Sequence, residues 1–288
     1  MIIVKLNGGL GNQMFQYALG RKMSLKNRDV FKLDTSLFTE KNTRHYALGG
    51  FNIIENIANK NDIRRVKLPY GPISAISIAF KKKVFRKFNI GFDQSMTEKK
   101  RDLYLDGFWQ SEKYFDDIAS VIREDFRLRS KMSHSAEIVL DSILKESVPV
   151  SVHIRRGDYA SDSKTNRYHG VLSPEYYKKA FAALSDRLPE NDARKIHFFV
   201  FSDDVNWVKN NVSFPYPATF ISNPSISAHE EMTLMSKCAY HIVANSSFSW
   251  WGAWLNSNPK KVVIAPKKWF NTRPSTYKDI VPNSWIKI

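Results

Sequence analysis

Short apolar runs that alternate with helix-period segments constrain this chain more than anything else in its sequence. Met1–Leu6 reads as a buried strand and Asn7–Asn12 (NGGLGN) as a glycine-rich turn. The following QMFQYALGRKMSLKN has helical spacing, with Met14, Tyr17, Ala18 and Met23 on one face, and Asp29–Asp34 reads as a second strand. The alternation returns after residue 145. Strands are expected over Val148–Ile154, Lys195–Asp204, Ala239–Asn245 and Lys260–Pro266, with helices near Pro174–Leu188, Glu230–Lys237 and Ser246–Leu255. Parallel strands need such crossovers, so the pattern predicts an α/β protein whose ligands bind at the carboxyl ends of its strands.

The stretch between is less regular. Arg44–Ile53 reads as loop plus strand, and Arg101–Phe115 as strand, turn and helix start. Helices are expected over Ile118–Phe126 and Ser135–Lys145. At 288 residues two domains are favoured over one. The return of regular alternation puts the boundary at 145/146, giving lobes 1–145 and 146–288.

Charge narrows the partner. Lys and Arg number 44 against 28 acidic residues, a formal charge of +16. That implies an anionic partner: nucleic acid, an acidic membrane face or a phosphorylated small molecule. Cys238 is the one cysteine, so no intrachain disulfide forms, which suits a reducing compartment. No run has the length of a signal or membrane-spanning segment, and the chain reads as cytoplasmic, with peripheral attachment at the inner face of the membrane left open. Ala75–Ile90, with Lys81–Lys87 at its centre, reads either as an amphipathic helix for anionic lipid or as the solvated face of a packed helix.

The strand ends carry the chemistry. In HIRRGDY, the apolar strand delivers His153, Arg155 and Arg156 to a turn at Gly157, followed by Asp158. A guanidinium binds phosphate through two parallel hydrogen bonds and stays charged. The plainer alternative is a surface turn with an Arg156–Asp158 ion pair. In ANSSFSWW, Asn245, Ser246, Ser247 and Phe248 open a helix, and the amides of Ser247 and Phe248 would face an anion, or the serines simply cap. Trp250, Trp251 and Trp254 read as core rather than sugar platform. In FSDD, Asp203 or Asp204 could take the paired N–H donors of a guanine edge, or cap a helix. In GGLGNQ, Gly9, Gly11 and Asn12 imply close backbone approach to a ligand. Met14 stands where a dinucleotide fingerprint needs its third glycine, although Asp34 lies at a distance suited to a ribose contact. No Asp-x-Asp exists, and His153, His197, His229 and His241 lack ligand spacing, so no metal is expected.

Together GGLGNQMFQYA, YALGGFNI, HIRRGDY, FSDD and HEEMTLMSKCAYHIVANSSFSWWGAWL resemble the bacterial α-1,2-fucosyltransferases of glycosyltransferase family 11. The resemblance runs from residue 1 to about Pro266 and departs from the family at Glu231, where Asp is more frequent. It implies a GT-B-like architecture, two Rossmann-like lobes facing across a cleft. Residues 1–145 would be the acceptor side and 146–288 the GDP-fucose-binding lobe. It implies metal-independent, inverting transfer from GDP-β-L-fucose to a sugar hydroxyl, most often O2 of a terminal β-galactoside. Arg155 of the His153-x-Arg155 pattern would contact the β-phosphate, and Asn12 would approach the donor. Asp158, His153 and Glu231 are the candidates for the general base. Two other classes fit some residues. A basic nucleic-acid-binding protein explains the charge but not SSFSWW or FSDD. An NAD-dependent oxidoreductase explains the first strand–turn–helix but leaves the arginines idle.

Overall fold

The computed structural model describes residues 1–39, 44–67, 91–100, 102–271 and 277–288. The Ala75–Ile90 segment lies outside the described residues. Two compact units form: Met1–Arg129 with Ser275–Ile280, and Ser130–Pro274 with Val281–Ile288.

The first unit holds a parallel sheet, β2 (Phe31–Asp34), β1 (Ile2–Lys5) and β3 (Leu103–Leu105), with β1 central. Helix α1 (Leu10–Asn27) lies against it. Met14, Tyr17, Ala18 and Met23 are fully buried, but so are Phe15 and Leu19, so its first half is enclosed all round rather than on one face. Gly20 explains how closely it packs. A Cβ there would fall 2.3 Å from Val4 Cγ2 and 2.4 Å from Phe31 Cε2. Further on lie α2 (Lys60–Lys67) and α3 (Ala119–Asp125), the latter within the expected helix. The strand expected in Arg44–Ile53 reduces to one antiparallel bridge, Phe51 to Leu128. The returning segment is tied in by Asp279, which accepts from Lys113 Nζ at 2.5 Å and from the Phe92 amide at 3.2 Å.

The second unit is built on six parallel strands: β4 (Val148–Ile154), β5 (Ile196–Ser202), β6 (Ala218–Phe220), β7 (Tyr240–Ile242), β8 (Val263–Ala265) and β9 (Ile286–Lys287). Their spatial order is β6-β5-β4-β7-β8-β9. Counted from β4, this is the 3-2-1-4-5-6 order of dinucleotide-binding folds, and the order reverses between β4 and β7. Every residue of β4 is buried, as expected of a parallel strand covered on both faces. β6 and β9, the two edge strands, escape the sequence reading because they are part-exposed and write no buried apolar run.

Besides the single turn Glu190–Ala193, the helices described in this unit are α4 (His134–Lys145), α5 (Gly157–Ser161), α6 (Ser163–His169), α7 (Pro174–Ser185), α8 (Val205–Asn211), α9 (Ala228–Lys237) and α10 (Ser247–Leu255). α7 starts at Pro174 as expected, the proline needing no N–H partner in a first turn. α4 corrects the 145/146 boundary. Its Ala136 and Ile143 pack with Leu234, Met235 and Cys238, and the Ser133 amide donates to Glu230 Oε1 at 2.5 Å. The helix therefore belongs with the second sheet, and the units part at 129/130. Trp250, Trp251 and Trp254 pack on one another and are core.

Candidate active site

In an open parallel sheet the crevice outside the carboxyl ends opens where strand order reverses. In the second unit that point lies between the ends of β4 and β7. HIRRGDY leaves the first and ANSSFSWW the second, while FSDD leaves neighbouring β5. The topology thus gathers three of the four motifs at one end of one sheet. The fourth, GGLGNQ, begins α1 in the first unit.

The arginines are held by carboxylates. Arg155 Nη1 lies 2.7 Å from Asp203 Oδ2, its Nη2 donates to Asp158 Oδ1, and its guanidinium sits 5.3 Å from the Tyr159 ring. The surface pair imagined between Arg156 and Asp158 is therefore wrong, because Asp158 turns back within α5 to meet Arg155. Arg156 donates its backbone N–H to Asp203 Oδ1 at 2.8 Å, pairs through Nε with Asp204 Oδ2 at 3.4 Å and stacks 3.6 Å over Trp207. Gly157 has no room for a side chain, since a Cβ would stand 2.3 Å from Asp203 Oδ2. The Arg155 and Asp203 side chains are 23% and 25% exposed, so the pair is neither dry nor freely solvated. An entering anion competes with two carboxylates for one guanidinium.

The two aspartates divide the roles anticipated for them. Asp204 caps α8, accepting from the Trp207 amide at 3.1 Å. Asp203 braces both arginines.

At the end of β7, Asn245 is 2% exposed. Its Nδ2 donates to the carbonyls of His169 (2.9 Å), Gly170 (3.2 Å) and Trp269 (3.2 Å), clamping two loops, while its Oδ1 is buried without a partner. Ser246 is the helix cap, its Oγ accepting from the Phe248 amide at 3.3 Å. That corrects the expectation that this amide faces an anion, since the cap engages it. Ser247 and Phe248 are partly exposed, and the Phe248 ring lies 5.5 Å from that of His153.

His153 is 5% exposed, and its Nδ1 has no partner. Burial, reinforced by Arg155, drives its pKa down to about 3, so the imidazole is neutral. Glu231, on α9, moves the other way. Burial, with a contribution from Asp203 and opposed by a hydrogen bond with Ser222, raises it to about 7. His169 escaped the sequence reading altogether. It stacks on Tyr159 (4.4 Å, 16°), lies 5.2 Å from the Phe270 ring, and has a buried, unpartnered Nδ1. Its polar surroundings in the sequence carry no period or motif that marks it.

The glycine turn of the first unit is organised differently. Gly8, rather than Gly9 or Gly11, carries the positive φ of 80°, and Gly9 precedes α1 without a side-chain cap. Asn12 Oδ1 accepts from Gln110 Nε2 at 2.6 Å. Gln13 closes the turn, donating to the carbonyls of Gly8 and His45 and accepting from the Ala47 amide, each at 2.9 Å. Asp34 is 1% exposed and accepts from the Tyr104 hydroxyl and the Ser36 amide. It is internal structure rather than a ribose contact, which removes a residue the oxidoreductase reading required. Among the described residues no three His, Cys, Asp or Glu side chains cluster as a metal site.

A parallel α/β unit with arginines at its switch point is an architecture suited to an anionic, nucleotide-like ligand. The chain belongs to glycosyl transferase family 11, whose family description it matches over residues 1–288. It is 34% identical to an α-1,2-colitosyltransferase of Escherichia coli, with 100% of this chain and 99% of that protein covered. It is 32% identical to the O-antigen biosynthesis glycosyltransferase WbnK of Escherichia coli, covering 98% and 99%. The galactoside 2-α-L-fucosyltransferase of Caenorhabditis elegans is 23% identical, with 91% of this chain and 71% of that protein covered. Among solved structures, the α-1,6-fucosyltransferase NodZ co-crystallized with GDP is similar with a TM-score of 0.51 at 14% identity, covering 91% of this chain and 93% of that one. The fold is GT-B-like.

Proposed function

We propose that the protein is an inverting fucosyltransferase that moves L-fucose from GDP-β-L-fucose to O2 of a terminal β-galactoside in a surface polysaccharide or oligosaccharide. The observation that carries this reading is Arg155, fixed between Asp158 and Asp203 at the switch point of a family 11 chain. Breaking the C1–O bond to GDP builds negative charge on the β-phosphate while the sugar becomes oxocarbenium-like. A guanidinium aimed there stabilises the transition state more than the ground state. Arg156, Asp203, Asp204, Asn245, Ser246, Ser247 and Phe248 would shape the donor pocket, and Gly9, Gly11 and Asn12 are further candidate donor contacts. The acceptor hydroxyl attacks the face opposite GDP, inverting the anomeric centre. Asp158, freed from Arg155 as the diphosphate arrives, takes the hydroxyl proton, ahead of His153 and Glu231. The charge on the phosphates is met by arginine and the Ser247 amide, with no metal.

A lipid-linked acceptor suits so basic a chain and would place it on the cytoplasmic face of a membrane. No helix among the described residues is long and apolar enough to cross one.

The 34% identical colitosyltransferase supports a second reading, transfer of colitose rather than fucose. The two sugars differ by the 3-hydroxyl, which colitose lacks. A pocket that hydrogen-bonds that hydroxyl prefers fucose by roughly 10⁴-fold, and an apolar one barely distinguishes them. Incubation with GDP-fucose or GDP-colitose and a lactose-type acceptor, followed by NMR of the product, decides donor and linkage together. Absence of fucosyl product while colitosyl product accumulates would overturn the first reading. A melting-temperature panel with GDP, UDP, NAD and an oligonucleotide separates both from the other classes, GDP alone being expected to stabilise.

A further inference from the structure

We infer that His169 is a binding residue of the donor's β-phosphate, acting as a neutral hydrogen-bond donor beside Arg155. The inference rests on the reading that the crevice at β4 and β7 holds GDP. His169 ends α6, and its backbone is fixed to that crevice. Asn245, three residues past the end of β7, donates to the carbonyls of His169, Gly170 and, farther along the chain, Trp269. Its ring is fixed as well, stacked on Tyr159 at 4.4 Å and flanked by Phe270 at 5.2 Å and Tyr168 at 4.9 Å. Tyr159 in turn lies under the Arg155 guanidinium at 5.3 Å and donates to the Asn245 carbonyl at 3.4 Å. His169 and Arg155 therefore share one aromatic neighbour, Tyr159.

Among the described residues, the charged groups within electrostatic reach of the ring are Arg155 and Asp158. Burial, with Arg155 adding and Asp158 opposing, lowers the pKa of His169 to about 4, so it is neutral at physiological pH. A neutral imidazole donates from one nitrogen only. Nδ1 is buried without a partner. A proton there would be an orphaned buried donor, a worse penalty than an orphaned lone pair, and this asymmetry assigns the N–H to Nε2. The assigned tautomer makes His169 a donor suited to an anionic oxygen rather than a base. A protonated histidine would repel Arg155 before any ligand arrived. A neutral N–H adds a hydrogen bond without that repulsion, and to a phosphate oxygen the bond is charge-assisted.

Calorimetric titration of GDP and GMP into wild type, H169F and H169Q tests this. Phenylalanine keeps a flat ring between Tyr159 and Phe270 but has no N–H, while glutamine places an amide N–H near the Nε2 position. H169F is expected to weaken GDP roughly 10–100-fold, leave GMP within about 2-fold and keep the wild-type melting temperature, with H169Q regaining much of the loss. If H169F binds GDP as wild type does, or loses GDP and GMP by the same factor, the inference is overturned. Should H169F not fold, H169Q holding GDP at near wild-type affinity supports the assignment, and H169Q losing GDP and GMP equally refutes it. Wild type failing to bind GDP defeats instead the donor reading on which this rests.

Discussion

Two strand–turn–helix junctions of similar character, one in each unit, settle their polar groups in opposite ways. At the glycine turn of the first unit, Asn12 pairs with Gln110, Gln13 with Gly8, His45 and Ala47, and Gln16 with Asn7 and Gly107. At the β4 and β7 ends of the second unit, His153 Nδ1 and Asn245 Oδ1 are buried without partners. Each such atom costs about 1–3 kcal/mol when nothing compensates it. A fold tolerates that cost where a ligand or ordered water completes the bonding. The first junction is built to be a rigid wall, the second to be finished by something else. The contrast favours the second unit as the carrier of the donor.

The comparison breaks most visibly at Arg155. Arg155→Ala is expected to lower kcat about 10³-fold, or about 4 kcal/mol in the barrier. Circular dichroism should stay unchanged, because β4 is held by its burial rather than by its last side chain. Turnover within a few-fold of wild type would remove Arg155 from the mechanism and with it the ground for placing the donor on the second unit. Asn12→Ala, in the interlocked junction, is expected to cost about 10-fold in kcat/KM, the scale of one hydrogen bond.

The second unit should also show its built-in tension in the pH dependence of stability, where two adjacent glutamates pull in opposite directions. Glu231 is raised from 4.5 to about 7. Its contribution is intact below pH 4.5 and is lost as pH rises through 7, about 3 kcal/mol in all. For Glu230 burial opposes ionisation, but the amides and hydroxyls of Ser133 and Ser227 outweigh it and bring the pKa to about 2. Its contribution is present above pH 4.5 and is lost as pH falls toward 2. Melting curves from pH 3 to 8 should therefore fall at both ends. Glu231→Gln should flatten the alkaline limb alone, and Glu230→Gln the acid limb alone. An unchanged alkaline limb in Glu231→Gln would mean that this carboxyl is not the buried one.

What the sequence revealed follows from the same physics. The ends of β4, β5 and β7 were legible because a buried strand writes an apolar run, and an Arg, Asp or Asn directly after it is conspicuous. β6 and β9 were not, being part-exposed edge strands with no such run. Arg155's pairing with Asp158 and Asp203 was hidden because it depends on how α5 turns and on which face of β5's end Asp203 points to. His169 was invisible for a different reason. Its role comes from an aromatic stack on Tyr159 and an asparagine clamp made across 76 residues of chain, which no local pattern encodes. The domain boundary failed because α4 looks, by sequence position, like the end of the first lobe, whereas its apolar face matches α9.

Two glycines sharpen the contrast at the scale of a single methyl group. Gly20 sits where α1 crosses β1 and β2, and Gly157 where the turn after β4 meets Asp203. Gly20→Ala drives its Cβ into Val4 and Phe31, packed side chains that have no free direction in which to move. The expected result is a loss of about 1–3 kcal/mol in stability with GDP affinity unchanged. Gly157→Ala meets the carboxylate of Asp203, which is 25% exposed and can rotate away, but only by releasing Arg155 Nη1 and the Arg156 amide. The expected result is a melting temperature near wild type with GDP bound about 10-fold more weakly. Measuring melting temperature and GDP affinity on both variants makes the prediction a crossed one. If Gly157→Ala loses stability and keeps affinity, Asp203 braces the fold rather than the pocket, and the second junction is no more a ligand site than the first.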